Sequence, residues 1–294
     1  ERLYYTYFIY QVKEKDLVID GEEVKIKKFK HVRLPLFLEA IVSGLRVNKE
    51  KDLAKKVKKS SLYDKRLKMF RLNASLEKTP LEIGRIKVFP RGWLENESIW
   101  LHMEYKYLLE FLKSGLYKEF FKNFFNCFVC FLNPLLYGRN MLENSSFLVS
   151  SASYDSSLWG RGFIARLTGA TTEVLNIWIL MCLGERPFYV DERNNLYIKF
   201  SPILCKELFT TKEVFLAEEG IRLSPSVFAF KLFSSVWVIY HNPERKNTYD
   251  LKIEKIEIFR KDGRRVILEE DFIPPPLSYE VRQGKIKRID IFFL

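Results

Sequence analysis

The chain has 294 residues, enough for one large or two ordinary domains, and its 47% hydrophobic content excludes a disordered or low-complexity polypeptide. A formal net charge of +12 brings anionic partners into view, but lysines alternate with glutamates in "KEKDLAKKVKK" and "KIEKIEIFRKDGRR", as on solvated helix faces and strand edges. No basic module with base-stacking aromatics suggests nucleic acid, and no apolar run is long enough to span a bilayer.

Residues 1–33 read as an extended, β-forming connecting segment, with Asp20-Gly21 as a hairpin turn. Residues 34–188 read as helical. Phe37, Ile41 and Leu45 recur every four residues, and Leu53, Ala54 and Val57 mark a second helix with a lysine-rich outer face. Pro80, Gly84, Pro90 and Gly92 break the pattern between Ser60 and Trp93. Trp100, Met103, Tyr107, Phe111 and Leu112 then define one helix. The phenylalanine-rich run Leu116–Leu132 defines the next, with Gly115 as the tight turn between them. A polar stretch from Tyr137 to Phe163 leads to an apolar helix over Ala170–Leu183. Beyond Phe188 the period becomes two, so residues 189–294 read as an antiparallel β domain with Val236, Val238, Ile256 and Ile258 in its core.

Few features carry chemistry. His31, His102 and His241 are too scattered for a metal cage, and His102 sits on an apolar helix as a core group. Cys127 and Cys130 form a Cys-x-x-Cys inside the phenylalanine-rich run with no second pair, which reads as core packing. Free cysteines and the lack of a signal peptide lead to the expectation of a cytoplasmic protein. Ser145 and Ser146 lack the turn motif of a nucleophile.

Carboxylates say more. "GWLENESIW" places Glu95 and Glu97 beside Trp93 and Trp100, and "NMLENSSF" places Glu143 beside Asn144. Acids beside aromatics and amides are what sugar sites use, and first-turn helix electrostatics is the alternative. "RLTGATT" opens the last helix with small residues only. Either Thr168 caps that helix, or its free amides and dipole hold an anion.

Five stretches in order resemble the carboxyl-terminal part of large bacterial enzymes of the cellobiose phosphorylase type, including β-glucan and oligosaccharide phosphorylases. They are "LPLFLEAIVSGLRV", "SSLYDKRLKMFRLNASLE", "GWLENESIWLHMEYKYLLEFLKSGLY", "YGRNMLENSSFLVSSA" and "GRGFIARLTGATTEVLNIWILMCLGERPF". The resemblance implies a partial α/α toroid of the six-hairpin type followed by the β domain. It also implies inverting phosphorolysis of β-linked gluco-oligosaccharides to sugar 1-phosphate, with inorganic phosphate as co-substrate and no other cofactor or metal. Thr168 and Gly169 of the Leu-Thr-Gly turn would hold phosphate, with Arg166 and Arg161 as further anion contacts. Trp93, Glu95, Asn96, Glu97 and Asn144 would line the sugar site. Asn96 stands where the family has a phosphate-binding histidine, and the family's general acid lies upstream of anything in this sequence. The chain is therefore expected to be a carboxyl-terminal portion that associates with a polypeptide supplying the missing helices, or with itself. Two alternatives remain: an inverting glycoside hydrolase with Glu143 as general base, and a non-catalytic carbohydrate-binding or assembly subunit.

Overall fold

Apolar side chains recur at helical spacing in short runs along the first part of the chain, and each run folds as a separate helix between polar turns. The computed structural model describes residues 8–17, 24–49, 51–163, 169–217 and 220–294. Two units divide it, Glu1–Ile177 and Trp178–Leu294.

In the first unit, β1 (Phe8–Leu17) and β2 (Val24–Arg33) pair antiparallel. The Asp20-Gly21 turn expected between them lies outside the described residues. Helices α1 (Leu38–Asn48) and α2 (Lys51–Lys59) bury Ile41, Leu45, Leu53 and Val57 completely and leave Lys55, Lys58 and Lys59 in water. A small antiparallel pair follows, β3 (Tyr63–Asp64) and β4 (Met69–Phe70). Strand β5 (Ile99–Trp100) runs straight into α3 (Leu101–Lys113), which packs against α1 and against α4 (Tyr117–Cys127). Gly115, at φ +70°, makes the tight turn between α3 and α4 that side chains disfavour. The short α5 (Pro134–Tyr137) is capped by Asn133, β6 (Phe147–Leu148) and β7 (Gly162–Phe163) follow, and α6 (Gly169–Cys182) begins in this unit and runs past its last residue.

This arrangement overturns the expected partial α/α toroid. Among the described residues 33% are helical and 27% are in strands, and small sheets interrupt the helices. A toroid needs helical hairpins in succession, whereas the polar stretches 60–98 and 138–163 form strands and turns between helices. The expected helix Leu116–Leu132 stops at Cys127. Phe128 turns extended there, at ψ 129°, and sets its ring 4.4 Å from Phe124 and 4.7 Å from Tyr105. The last helix does form, over Gly169–Cys182.

The second unit holds a three-stranded sheet of β8 (Phe188–Val190), β9 (Leu196–Lys199) and β16 (Phe272–Ile273), and a hairpin of β10 (Val214–Leu216) and β11 (Ile221–Leu223). Its main sheet runs in the order β12 (Val227–Leu232), β13 (Val236–His241), β17 (Ile286–Phe293), β14 (Ile253–Arg260), β15 (Arg265–Leu268). Val236, Val238, Ile256 and Ile258 are fully buried. The sheet is mixed, not wholly antiparallel. After α7 (Leu277–Arg282), β17 inserts between β13 and β14 and runs parallel to β13.

Glu104 is the buried exception on the apolar face of α3. Its Oε1 accepts a hydrogen bond from the Cys127 Sγ at 2.8 Å, and its Oε2 accepts one from the Phe70 amide at 3.0 Å. Cys127 is thus a core residue, while Cys130 is exposed. Burial pushes the Glu104 carboxyl up to about 8, against the two hydrogen bonds that favour its charge. The folded state therefore holds this proton more tightly than the unfolded chain, whose ordinary value is 4.5. From that value up to about 8, rising pH should lower stability by as much as ~1.4 kcal/mol per pH unit. Urea unfolding across this range should show the slope in the native chain and lose it in Glu104→Gln; identical profiles would show that Glu104 is charged in the fold.

Candidate functional site

Strands β5, β6 and β7 are two residues long, and their register decides which candidate residues meet. Ile99 pairs with Leu148 and Leu148 with Gly162; Trp100 pairs with Phe147 and Phe147 with Phe163. The Trp93–Glu97 loop precedes β5, so it lies at the same end of the ribbon as the 149–161 link. Glu143 and Asn144 precede β6 at the opposite end, where α3 begins and where the chain leaves β7 for α6. Register alone thus divides the candidates into two sets.

The first set is held tightly. Gly92, Leu94 and Glu97 adopt φ of +77°, +45° and +58°, a left-handed backbone that is strained for Leu and Glu. Gly92 permits a close approach, since a Cβ there would lie 2.7 Å from the Ser153 amide nitrogen. The Trp93 ring packs against Phe147 and Phe163, with centroids 5.2 and 4.5 Å away. Asn96 is buried and its Nδ2 donates to the Phe89 carbonyl at 2.7 Å, yet its Oδ1 has no partner. Glu95 pairs loosely with Arg85 at 3.4 Å through one oxygen, and the other is buried without a partner.

Glu97 is 2% exposed and belongs to a charge network. Arg91 donates to it at 2.6 and 3.2 Å, Arg71 lies 3.5 Å away, and Asn73 accepts from its amide at 2.9 Å. Arg71 also reaches Asp64 at 3.2 Å, and the Ser151 amide and hydroxyl donate to Asp64 at 2.8 and 2.9 Å. Burial pushes the Asp64 carboxyl up, but hydrogen bonds from the Ser151 and Leu67 amides and the charge of Arg71 outweigh it, so Asp64 lies below its ordinary value. The Glu97 hydrogen bonds hold the Arg91 guanidinium above its own. Asp64, Arg71, Arg91 and Ser151 were not legible as members of this site. The one available signal was that an acid among tryptophans needs a cation, and the sequence does not say which.

The second set lies around Tyr137. Glu143 pairs with Arg139 at 3.2 Å, its carbonyl accepts the Tyr137 hydroxyl at 2.6 Å, and Asn144 Oδ1 accepts the Tyr105 hydroxyl at 3.3 Å. Glu143 therefore precedes a strand, not a helix as its sequence context suggests. Arg161 is exposed, and its Nε would lie 3.5 Å from a Cβ on Gly138. Thr168 and Arg166 lie outside the described residues. Gly169 begins α6, and the ring of His102 occupies the space where its Cβ would stand, 2.6 Å from that position. His102 is half-buried and faces Glu173 at 3.5 Å; it is not the core histidine that its helix suggests. Burial and then Lys106 hold it below its ordinary value, against the pull of Glu173.

Among the described residues, no three His, Cys, Asp or Glu side chains come together as a metal set, and no helix is long and apolar enough to cross a membrane. Comparison with protein-family models returns no match, and comparison with curated proteins returns none.

Two substitutions test this geometry by chemical denaturation. Asp64→Asn leaves Arg71 short of a counter-charge and should cost about 2–4 kcal/mol. Gly162→Ala sets a methyl 2.3 Å from the Tyr137 ring and should cost about 1–3 kcal/mol. Losses below about 0.5 kcal/mol at both sites, the scale of an ordinary surface change, would contradict this packing.

Proposed function

We propose that the chain is a portion of a glycoside phosphorylase acting on β-linked gluco-oligosaccharides, with the Trp93–Glu97 loop against a sugar unit. The observation that carries this reading is the loop itself. It holds a strained backbone over an ion-pair network and keeps two acceptors without partners, Glu95 Oε2 and Asn96 Oδ1. Both oxygens are closed to water as the loop stands, so sugar hydroxyls, which are donors, would satisfy them only once the loop shifts to admit a sugar. Trp93, wedged against Phe147 and Phe163, anchors the loop in this reading and does not stack on the sugar.

The resemblance supplies the reaction. Inorganic phosphate attacks the anomeric carbon as a carboxylic acid protonates the departing oxygen, giving sugar 1-phosphate and a shortened oligosaccharide. The resemblance assigns that acid to a segment with no counterpart in this sequence. Phosphate would meet the start of α6 at Thr168 and Gly169, with His102 alongside and Arg161 and Arg166 as outer contacts.

Titration calorimetry with cello- and laminari-oligosaccharides, with and without phosphate, tests the reading. Asn96→Ala should weaken sugar binding, and Thr168→Val phosphate binding, by about 1–2 kcal/mol each. Failure to bind any of these sugars would remove the proposal. Sugar release that ignores phosphate would favour a hydrolase with Glu143 as base.

Association with a further polypeptide or a second copy has a place to act. Phe131, Leu135, Leu136, Met141 and Leu142 are exposed around α5, with Leu135 at 87% and Leu142 at 83%. Light scattering should find an oligomer, or co-purification a partner, and Leu135→Asp with Leu142→Asp should release it. A monomer with no co-purifying chain would end this part of the reading.

A further inference from the structure

In the second unit two basic stretches far apart in sequence meet. "RKDGRR" turns from β14 into β15, and "RQGK" leads from α7 into β17. The Lys261 amide donates to the Lys285 carbonyl at 3.0 Å and locks the two turns side by side. Between them lies a pocket of ≈ 360 Å³ lined by Arg260, Lys261, Asp262, Arg264, Glu280, Gly284 and Lys285. That volume suits a small molecule better than a polymer.

The lining is built in layers. Arg260 and Glu280 form a two-pronged ion pair at 2.6 and 2.9 Å, a part-buried wall. Arg264 pairs with Asp262 at the exposed rim. Lys261 and Lys285 are exposed and have no ion-pair partner among the described residues. Gly284 leaves the mouth open, since a Cβ there would meet nothing within 4 Å. Four cations face two carboxylates, so the pocket carries a surplus of two positive charges. A phosphate monoester carries about −1.5 to −2 at neutral pH and matches that surplus. The lining side chains are all charged, and Asp262 and Glu280 can accept from hydroxyls.

We propose that this pocket binds a phosphorylated sugar, with its phosphate on Lys261, Lys285 and Arg264 and its hydroxyls toward Glu280 and Asp262. The site is separate from the phosphate position at α6 and stands whether or not the first unit takes part in phosphorolysis.

Calorimetry on the whole chain with glucose 1-phosphate, glucose 6-phosphate, glucose and inorganic phosphate tests it. At least one sugar phosphate should bind, and Lys261→Gln with Lys285→Gln should weaken it about tenfold or more, the scale of lost charge-assisted hydrogen bonds. Both lysines are exposed, and an unchanged melting temperature will show that the fold survives. All four ligands are compared in the Thr168→Val background, which removes the phosphate position proposed at α6 from the reading. Lys65→Gln, an exposed charge in the first unit, should leave sugar-phosphate binding intact. The proposal is overturned if no sugar phosphate binds, if the double variant binds as well as the chain that keeps both lysines, or if Lys65→Gln weakens binding equally. It is also overturned if inorganic phosphate binds as tightly as the best sugar phosphate, or if a short single-stranded oligonucleotide displaces that ligand at lower concentration.

Discussion

Two carboxylates without access to water, Asp64 and Glu97, set the terms on which the first unit folds. An acid in that position either loses its charge or is given a cation and a full set of donors. Arg71 serves both acids at once, and through them it ties the β3–β4 pair to the loop before β5. Ser151 extends the same tie to the link between β6 and β7. Sheets of two-residue strands have too few hydrogen bonds to stand alone. The ion-pair network supplies the long-range restraint that the short strands lack, and it does so where the backbone of Leu94 and Glu97 is strained. Glu104 shows the other solution in the same unit. With Cys127 and Phe70 as its partners and no cation paired to it among the described residues, it lies high enough to hold its proton at neutral pH.

This division bears on what each acid can do. With its two oxygens held by Arg91 and Arg71, Glu97 serves to position the loop. Glu95 and Asn96, two and one residues earlier, keep buried oxygens without a hydrogen-bond partner. The unsatisfied atoms thus sit next to the satisfied ones, and the satisfied ones hold the backbone that carries them. Such support from behind is what a loop needs in order to recognise a ligand with hydroxyls in fixed directions.

Helical spacing was legible where the apolar stripe was one-sided, as in α1 and α2. It misled where the stripe widened. In Leu116–Leu132 the run of phenylalanines satisfied the helical period beyond Cys127, but Phe128 finds its partners Tyr105 and Phe124 by leaving the helix. The two-residue strands were not legible, because alternation cannot register over two positions, and with them went the architecture that separates this fold from a ring of helical hairpins. The loop Trp93–Glu97 was legible as a cluster of acids and aromatics. Its partners Asp64, Arg71 and Ser151 were not, since they lie about 20 to 60 residues away along the chain and have no periodicity. In the second unit, alternation marked the buried faces of β13 and β14 correctly, but it is blind to strand direction and order. The parallel entry of β17 between them was therefore hidden.

The surplus of positive charge was legible as a number and not as a distribution. On one face of the main sheet, cations of flanking strands lie against rings: Arg288 is 4.2 Å and Arg265 5.6 Å from Phe259, and Lys255 is 4.6 Å from Phe292, which also stacks on His241 at 4.4 Å. Asp290 binds Arg288 and His241, and Glu257 binds Lys255 and Arg265, so these charges are balanced from beneath. A ring approached from both neighbouring strands has little face left for a ligand, and a cation held by both a ring and a carboxylate has little charge left to attract one. Much of the basic character of "KIEKIEIFRKDGRR" is thus absorbed within the sheet, while Lys261 near its end lies beside Lys285 with no carboxylate paired to either among the described residues.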